Sequence, residues 1–272
     1  MSEAVVHVSR LGKHYRVGER ERYFALRDML ARDDGGEPVR EHGARWGTYR
    51  AGFYRRAGRG LRELGTRLLN RQGINGVWID VGAHQGEATF IQAQNNPSLT
   101  VFAFEPNWGL ARQLMGRLPN FIVLPMAVSE NDGVADFFLN AADVASSLLP
   151  FSTEGLRTWK GGEALRVESR VSVPTIRLDT FMQCIGARAV DYLKVDAQGA
   201  DFSVIQSAGL RIRDIQKITL EVDVTSVRLY QGSAGREQIT AFLEKQGFVL
   251  SEVCRQSLDQ EENLTFVRGG VR

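Results

Sequence analysis

The sequence predicts a doubly wound α/β domain behind a basic N-terminal arm, and three observations lead there. From residue 73 onward, apolar runs of strand length alternate with stretches of helical period. Runs such as "VWIDV" (77–81) and "YLKVD" (192–196) are largely apolar and place an acid at or near the C-terminal end, which suits strands buried on both faces of a parallel sheet. The first of them passes directly into a loop punctuated by Gly82 and Gly86. In such sheets ligands sit at the carboxyl ends of the strands, where the strand order switches.

Taken in order, residues 4–32 begin with an alternating, strand-like piece and end with Phe24, Leu26, Met29 and Leu30 on one helical face. "DDGGEP" then reads as a linker, because Asp, Gly and Pro favour turns. Residues 46–71 are arginine-rich, with Phe53, Leu61, Leu64, Leu68 and Leu69 spaced as on an amphipathic helix. A solvated helix face accounts for these arginines ahead of an anion or membrane surface. The predicted division is therefore an arm over 1–45, an amphipathic helix over 46–72 and the α/β domain over 73–272. Within that domain "GVWIDVGA", "LTVFAFEP" and "FIVLPMAV" read as strands separated by helical "GEATFIQAQ" and "WGLARQLMGRL". After an irregular middle come strands at "VDYLKVDAQG" and "KITLEVDV", separated by helical "DFSVIQSAG". A helix at "REQITAFLEKQ" and strands at "FVLSEV" and "NLTFVR" close the chain.

The 272 residues, 43% hydrophobic and 24% charged, suffice for one sizeable core with an appendage. The net charge of +2 conceals +7 over residues 1–72 and −5 over the rest. No apolar stretch is long enough to cross a bilayer, and the first thirty residues carry charges throughout, so a cytoplasmic location is the default expectation. Cys184 and Cys254 are expected to be small buried apolar residues rather than a disulfide.

The opening strand delivers Asp80 to the carboxyl edge, and Gly82 and Gly86 let the backbone approach a ligand closely. The next strand ends at Glu105, 25 positions later, where an acid can accept hydrogen bonds from both ribose hydroxyls of an adenosine cofactor. The spacing is D-x-G-x-x-x-G, neither the G-x-G-x-x-G of dinucleotide folds nor a phosphate loop with its lysine. An acid there suits a cationic or amino-acid-like group, and S-adenosylmethionine carries both an ammonium and a sulfonium. A nicotinamide-dependent oxidoreductase is disfavoured by the same spacing.

"WIDVGAHQG", "VFAFEPN", "LPMAVSENDG", "SSLLP", "TIRLDTF", "DYLKVDAQGADFSVIQSAG" and "ITLEVD" occur in an order that strongly resembles the FkbM family of S-adenosylmethionine-dependent methyltransferases, over about residues 74–267. The resemblance implies a class I methyltransferase fold, Rossmann-like and doubly wound. Its sheet would have seven strands, mostly parallel, with an antiparallel strand near the C-terminus. It implies methyl transfer, usually to an oxygen of a sugar or a natural-product scaffold. It places cofactor contacts at Asp80, Gly82, Ala83, His84, Gly86, Glu105, Pro106, Asn107, Ala127 and Ser147; Ala127 and Val128 would line the adenine with Ser129 and Asp132 nearby, and Ser146 forms with Ser147 a serine pair in contact with the cofactor or the active site. Asp196 and Glu221, at the ends of neighbouring strands, are the candidate catalytic carboxylates. One would take the acceptor's proton, its pKa raised by burial or by the other. A divalent metal held by these two with Asp223 is the competing reading; Asp196 could also serve only to position the cofactor's amino group or Lys194. His84 stands where the family commonly has asparagine, and loop geometry accounts for it ahead of catalysis. Asp201 replaces the family's usual glutamate, which puts the role of that acid in doubt.

Residues 4–32 resemble the start of the ATP-binding subunit of polysaccharide-exporting ABC transporters, without the Walker loop that would follow. This resemblance implies a surface-polysaccharide setting, a glycan hydroxyl as acceptor, possible docking to export machinery, and no ATP hydrolysis. A non-catalytic adaptor and a small natural-product acceptor stand as alternatives. Nucleic acid is not expected as a partner: the main domain is acidic and aromatics are not interleaved with the basic run.

Overall fold

The computed structural model describes residues 5–7, 14–16, 59–70, 73–256 and 259–270. The chain divides into two units, Met1–Leu64 and Gly65–Arg272. In the first, β1 (Val5–His7) and β2 (His14–Arg16) form an antiparallel pair. The predicted helical face at Phe24–Leu30, the linker and most of the likeness to an export ATPase lie outside the described residues. Of the amphipathic stretch, a helix over 59–69 (α1) is described, with Leu61 and Leu68 buried.

The second unit is built on seven strands: β3 (Gly76–Val81), β4 (Leu99–Phe104), β5 (Phe121–Leu124), β9 (Tyr192–Val195), β10 (Lys217–Asp223), β11 (Phe248–Gln256) and β12 (Glu261–Arg268). Their order across the sheet is β11-β12-β10-β9-β3-β4-β5, all parallel except β12, which runs antiparallel to both neighbours. This is the strand order of a class I methyltransferase fold, with the order reversing at β3 and β9. All six residues of β4 are buried, as its unbroken apolar run requires.

Helices pack on both faces. On one, α2 (Phe90–Asn95) and α3 (Trp108–Leu114) cover β3–β5, burying Ala93, Ala111 and Leu114 against Val101, Ala103, Phe121 and Val123. On the other, Phe181 of α5 (Leu178–Ile185) meets Phe102 and Phe104 edge-on, with ring centroids 5.3 and 4.8 Å apart. Phe202 of α6 (Asp201–Gln206) meets Phe242 of α7 (Arg236–Lys245) in the same way.

The irregular middle of the sequence holds a second sheet, which was not expected. β6 (Ala127–Val128), β7 (Gly133–Asn140) and β8 (Val167–Ile176) pair in the order β6-β8-β7. Between β7 and β8 lies α4 (Thr153–Thr158), capped at its start by Ser152. The burial expected of the cysteines is corrected: neither is in a disulfide, but Cys184 is only half-buried and Cys254 is exposed on β11. Cys254 falls in the stretch of β11 from Ser251 to Arg255, all of which is exposed.

Candidate active site

The carboxyl ends of β3, β4, β9 and β10 open on a cleft of about 560 Å³, within the roughly 300–1,000 Å³ typical of small-molecule sites. Its floor is organised by Lys194 on β9. Lys194 pairs in register with Asp80 of β3, so both side chains leave the sheet on the same face. The ammonium lies 3.3 Å from Asp80 Oδ1 and 3.3 Å from Asp196 Oδ2, and donates to the Gly82 carbonyl at 2.8 Å. Burial alone would lower its pKa, but the two carboxylates outweigh burial and hold it above its ordinary value. Asp80 is fully buried, its Oδ2 accepting a 2.5 Å bond from Thr89 Oγ1. The structure therefore places Asp80 beneath the glycine loop, occupied by Lys194, rather than on the cleft wall.

Gly82 adopts φ +71°, and a Cβ there would lie 1.8 Å from the Asp196 carbonyl oxygen. The glycine lets the β3 and β9 ends close on each other. His84, at φ +48°, donates its backbone N–H to Glu105 Oε2 at 2.8 Å. Its ring lies 2.8 Å from Glu87 and 3.2 Å from Asp143, a tie between the glycine loop and the segment 143–145. Burial opposes its protonation, but the two acids prevail and its pKa is raised. Glu105 accepts a second backbone bond from Asn107 N at 2.7 Å. Burial nonetheless pushes its carboxyl up to about 7.

The candidate catalytic pair is held by a residue that sequence reasoning did not single out. Gln198 donates from Nε2 to Asp196 Oδ1 at 2.8 Å and to Glu221 Oε2 at 3.0 Å. Its own backbone is at φ +51°, its carbonyl accepts from Ser147 Oγ at 2.7 Å, and its Oε1 lies 2.9 Å from the Tyr230 hydroxyl. Asp201 is buried beneath this turn and accepts from Ala197 N and Gly199 N, both at 3.0 Å. The shorter acid thus still clamps the loop. Burial, with Asp196 adding to it, pushes Asp201 up to about 7. Burial and then the charges of Asp196, Glu261 and Asp201 push Glu221 up to about 9. At neutral pH Glu221 therefore keeps its proton, and Asp196 is the member paired with a cation.

Of the expected site residues, Gly82, His84, Glu105, Pro106, Ala127, Asp196 and Glu221 line the cleft, as do Val128 and Ser146. Others act behind the wall. Ala83 belongs to the core under α2 and α3. Gly86, at φ +83°, lets the chain pass close to Phe90. The Asn107 side chain caps α3 by accepting from Gly109 N, and Ser147 braces Gln198. Asp132 lies away from the cleft, bonded to Arg177 N and Thr180 Oγ1. The competing metal reading loses its third ligand, because Asp223 is engaged by Thr225 N, Leu229 N and Arg228. Among the described residues no cluster of three or more His, Cys, Asp or Glu is arranged to hold a metal. Sequence reasoning did not assign a place on the wall to Lys194, Gln198, Trp159, Glu261 or Asn263, all of which line it. The "DAQGAD" block did carry a signal for Gln198, since a glycine after it marks a constrained turn.

A profile of the methyltransferase FkbM domain matches residues 80–250. The chain is 29% identical over 136 residues to the 2-O-methyltransferase NoeI of Sinorhizobium fredii (strain NBRC 101917 / NGR234), a match covering 47% of this chain and 56% of that protein. The chain thus spans little more than half the length of this relative. Among solved structures it resembles magnesium protoporphyrin IX methyltransferase (ChlM) from Synechocystis PCC 6803 with bound SAM, at 12% identity and a TM-score of 0.38, over 93% of this chain and 98% of that one. It also resembles the 1,6-didemethyltoxoflavin-N1-methyltransferase of Burkholderia thailandensis, at 14% identity and a TM-score of 0.35, over 86% and 93%. Similarity at this level leaves the fold assignment to the strand order itself.

Proposed function

The chain belongs to the FkbM methyltransferase family, whose methyl donor is S-adenosylmethionine, and from that premise we propose that it methylates a hydroxyl oxygen of a sugar in a surface glycan. The observation that carries the reading is a single cleft joining Glu105 to the Asp196–Gln198–Glu221 constellation across the switch in strand order.

The residues present fit the donor. Glu105 presents a buried carboxyl whose oxygens take one backbone donor each, leaving acceptor capacity for a ribose diol. Leu110, Pro106, Ala127 and Val128 supply apolar wall for an adenine. Gly82 keeps side-chain atoms away from where the chain passes closest to Asp196. When bound, S-adenosylmethionine supplies a methyl group on a sulfonium, an activated leaving group that needs no protein nucleophile.

What remains for the protein is alignment and removal of the acceptor's proton. Glu221 keeps its proton at neutral pH, so Asp196 takes the proton from the hydroxyl. Gln198 fixes the carboxylate's rotation by donating to Oδ1, and Lys194 stabilises its charge from the side of Oδ2. The name of the S. fredii relative supports oxygen as the acceptor atom. The likeness of residues 4–32 to an export ATPase supports a surface polysaccharide and docking to its export machinery. Incubation with methyl-labelled S-adenosylmethionine, cell-surface glycans and a panel of small phenolic and hydroxy-acid metabolites tests this. Label is expected in an alkali-stable ether on a glycan; label confined to the small metabolites would overturn the acceptor.

A further inference from the structure

Past Asp196 the cleft continues over β10 and β12, away from Glu105, and this end has two unlike walls. Trp159, Leu165 and Leu229 form an apolar one; Glu221, Glu261 and Asn263 form a hydrogen-bonding one. Asn263 stands directly opposite Glu221 across the antiparallel ladder, so the two side chains share a face. The Asn263 amide makes no hydrogen bond to another described residue, although it lines the cleft.

The backbone that carries Trp159 is fixed on both sides. The residue is the C-terminal cap of α4, bonded to Gly155 O at 2.8 Å, and its own carbonyl accepts from Gly162 N at 2.9 Å. A Cβ at Gly155 would meet Arg228 O at 2.3 Å, and one at Gly162 would meet Leu156 O at 2.1 Å. Buried Gln260, next to the first residue of β12, grips the following residue by both backbone groups: Lys160 N donates to its Oε1 at 2.7 Å, and its Nε2 donates to Lys160 O at 3.4 Å. The aromatic wall and the Asn263 wall are therefore parts of one braced piece, as a preorganised subsite requires.

We propose that this end of the cleft seats one neutral pyranose ring of the acceptor, its apolar face on Trp159 and its hydroxyl edge on Asn263, with the reacting hydroxyl at Asp196. β12 lies two strands from β9, roughly 10 Å, a span that accommodates one ring. A sugar is a ligand with an apolar face and a hydroxylated edge; a flat aromatic acceptor would leave the Asn263 side unpaired. Among the described residues Lys194 is the basic residue on the wall of this half, and it is already engaged by Asp80 and Asp196, so a phosphorylated or uronic acceptor is disfavoured.

The inference rests on the assignment of the Glu105 half to the methyl donor, and the test separates the two. The full chain, ¹⁵N-labelled, is first titrated calorimetrically with S-adenosylhomocysteine and then, saturated with it, with methyl glycosides of neutral hexoses and deoxyhexoses and with methyl glucuronoside. The readout is the indole N–H signal of Trp159, assigned by Trp159→Phe. At least one neutral glycoside is expected to shift that signal, glucuronoside is not, and Asn263→Ala is expected to weaken the glycoside by roughly tenfold. Binding of S-adenosylhomocysteine with no glycoside moving the Trp159 signal would overturn the sugar seat and leave the donor site standing. So would a glycoside indifferent to Asn263→Ala. Failure to bind S-adenosylhomocysteine would overturn the donor reading and the subsite with it.

Discussion

Asp196→Asn is expected to lower kcat by about 100- to 10,000-fold, the usual worth of a positioned general base, while S-adenosylmethionine affinity stays close to that of the wild type. Asparagine keeps the shape and can still meet Gln198 Nε2 through its oxygen, so the 196–201 turn should survive. What it removes is the carboxylate that faces Lys194 and that we propose as the base. Glu221 does not substitute for it, because burial keeps that group protonated up to about 9. The alternative, in which Asp196 only positions the donor's amino group, makes the opposite division: affinity for the donor falls and turnover at saturation is retained. Steady-state kinetics beside calorimetry distinguish them, and unchanged kcat would remove Asp196 from the mechanism.

Gly82→Ala is expected to be the most damaging single-methyl change in the site. A left-handed backbone costs a non-glycine residue roughly 1–2 kcal/mol, and here a Cβ would also stand 1.8 Å from the Asp196 carbonyl oxygen. That contact is with backbone, so relief requires parting the ends of β3 and β9 and loosening the Lys194 bond to the Gly82 carbonyl. The combined loss is on the order of 3–5 kcal/mol, a fall in Tm of roughly 10 °C for a domain of this size. Gly161→Ala is the matched control, since Gly161 is also left-handed at φ +85° but has nothing within 4 Å of the added carbon. It should lose only the conformational part. Equal melting of the two variants would mean that the close approach at Gly82 does not constrain the site.

The core of the seven-stranded sheet was legible because β4 and β5 are buried along their whole length and their apolar runs are unbroken. The three-stranded sheet was not, because the first six residues of β8, Val167 to Ser172, are all exposed and show no period of two in hydrophobicity. Glu105, Asp196 and Glu221 could be placed at strand ends from the sequence alone. Asp80 could not be separated from them, since only the register of β3 against β9 reveals that Lys194 stands opposite it. The roles of Trp159, Gln260 and Asn263 arise from a turn and a strand a hundred residues apart, with no local pattern to announce them.

The most direct test of the central claim is isothermal titration of the purified protein with S-adenosylmethionine and, separately, with NAD, repeated for the first ligand on Glu105→Ala. Glu105 would accept two hydrogen bonds from the ribose, so its loss should weaken S-adenosylmethionine by roughly 10- to 100-fold, with no binding of NAD to the wild type. Wild-type protein that ignores S-adenosylmethionine, or a Glu105→Ala variant that is folded and binds it as well as the wild type, would contradict the assignment of this cleft as the donor site.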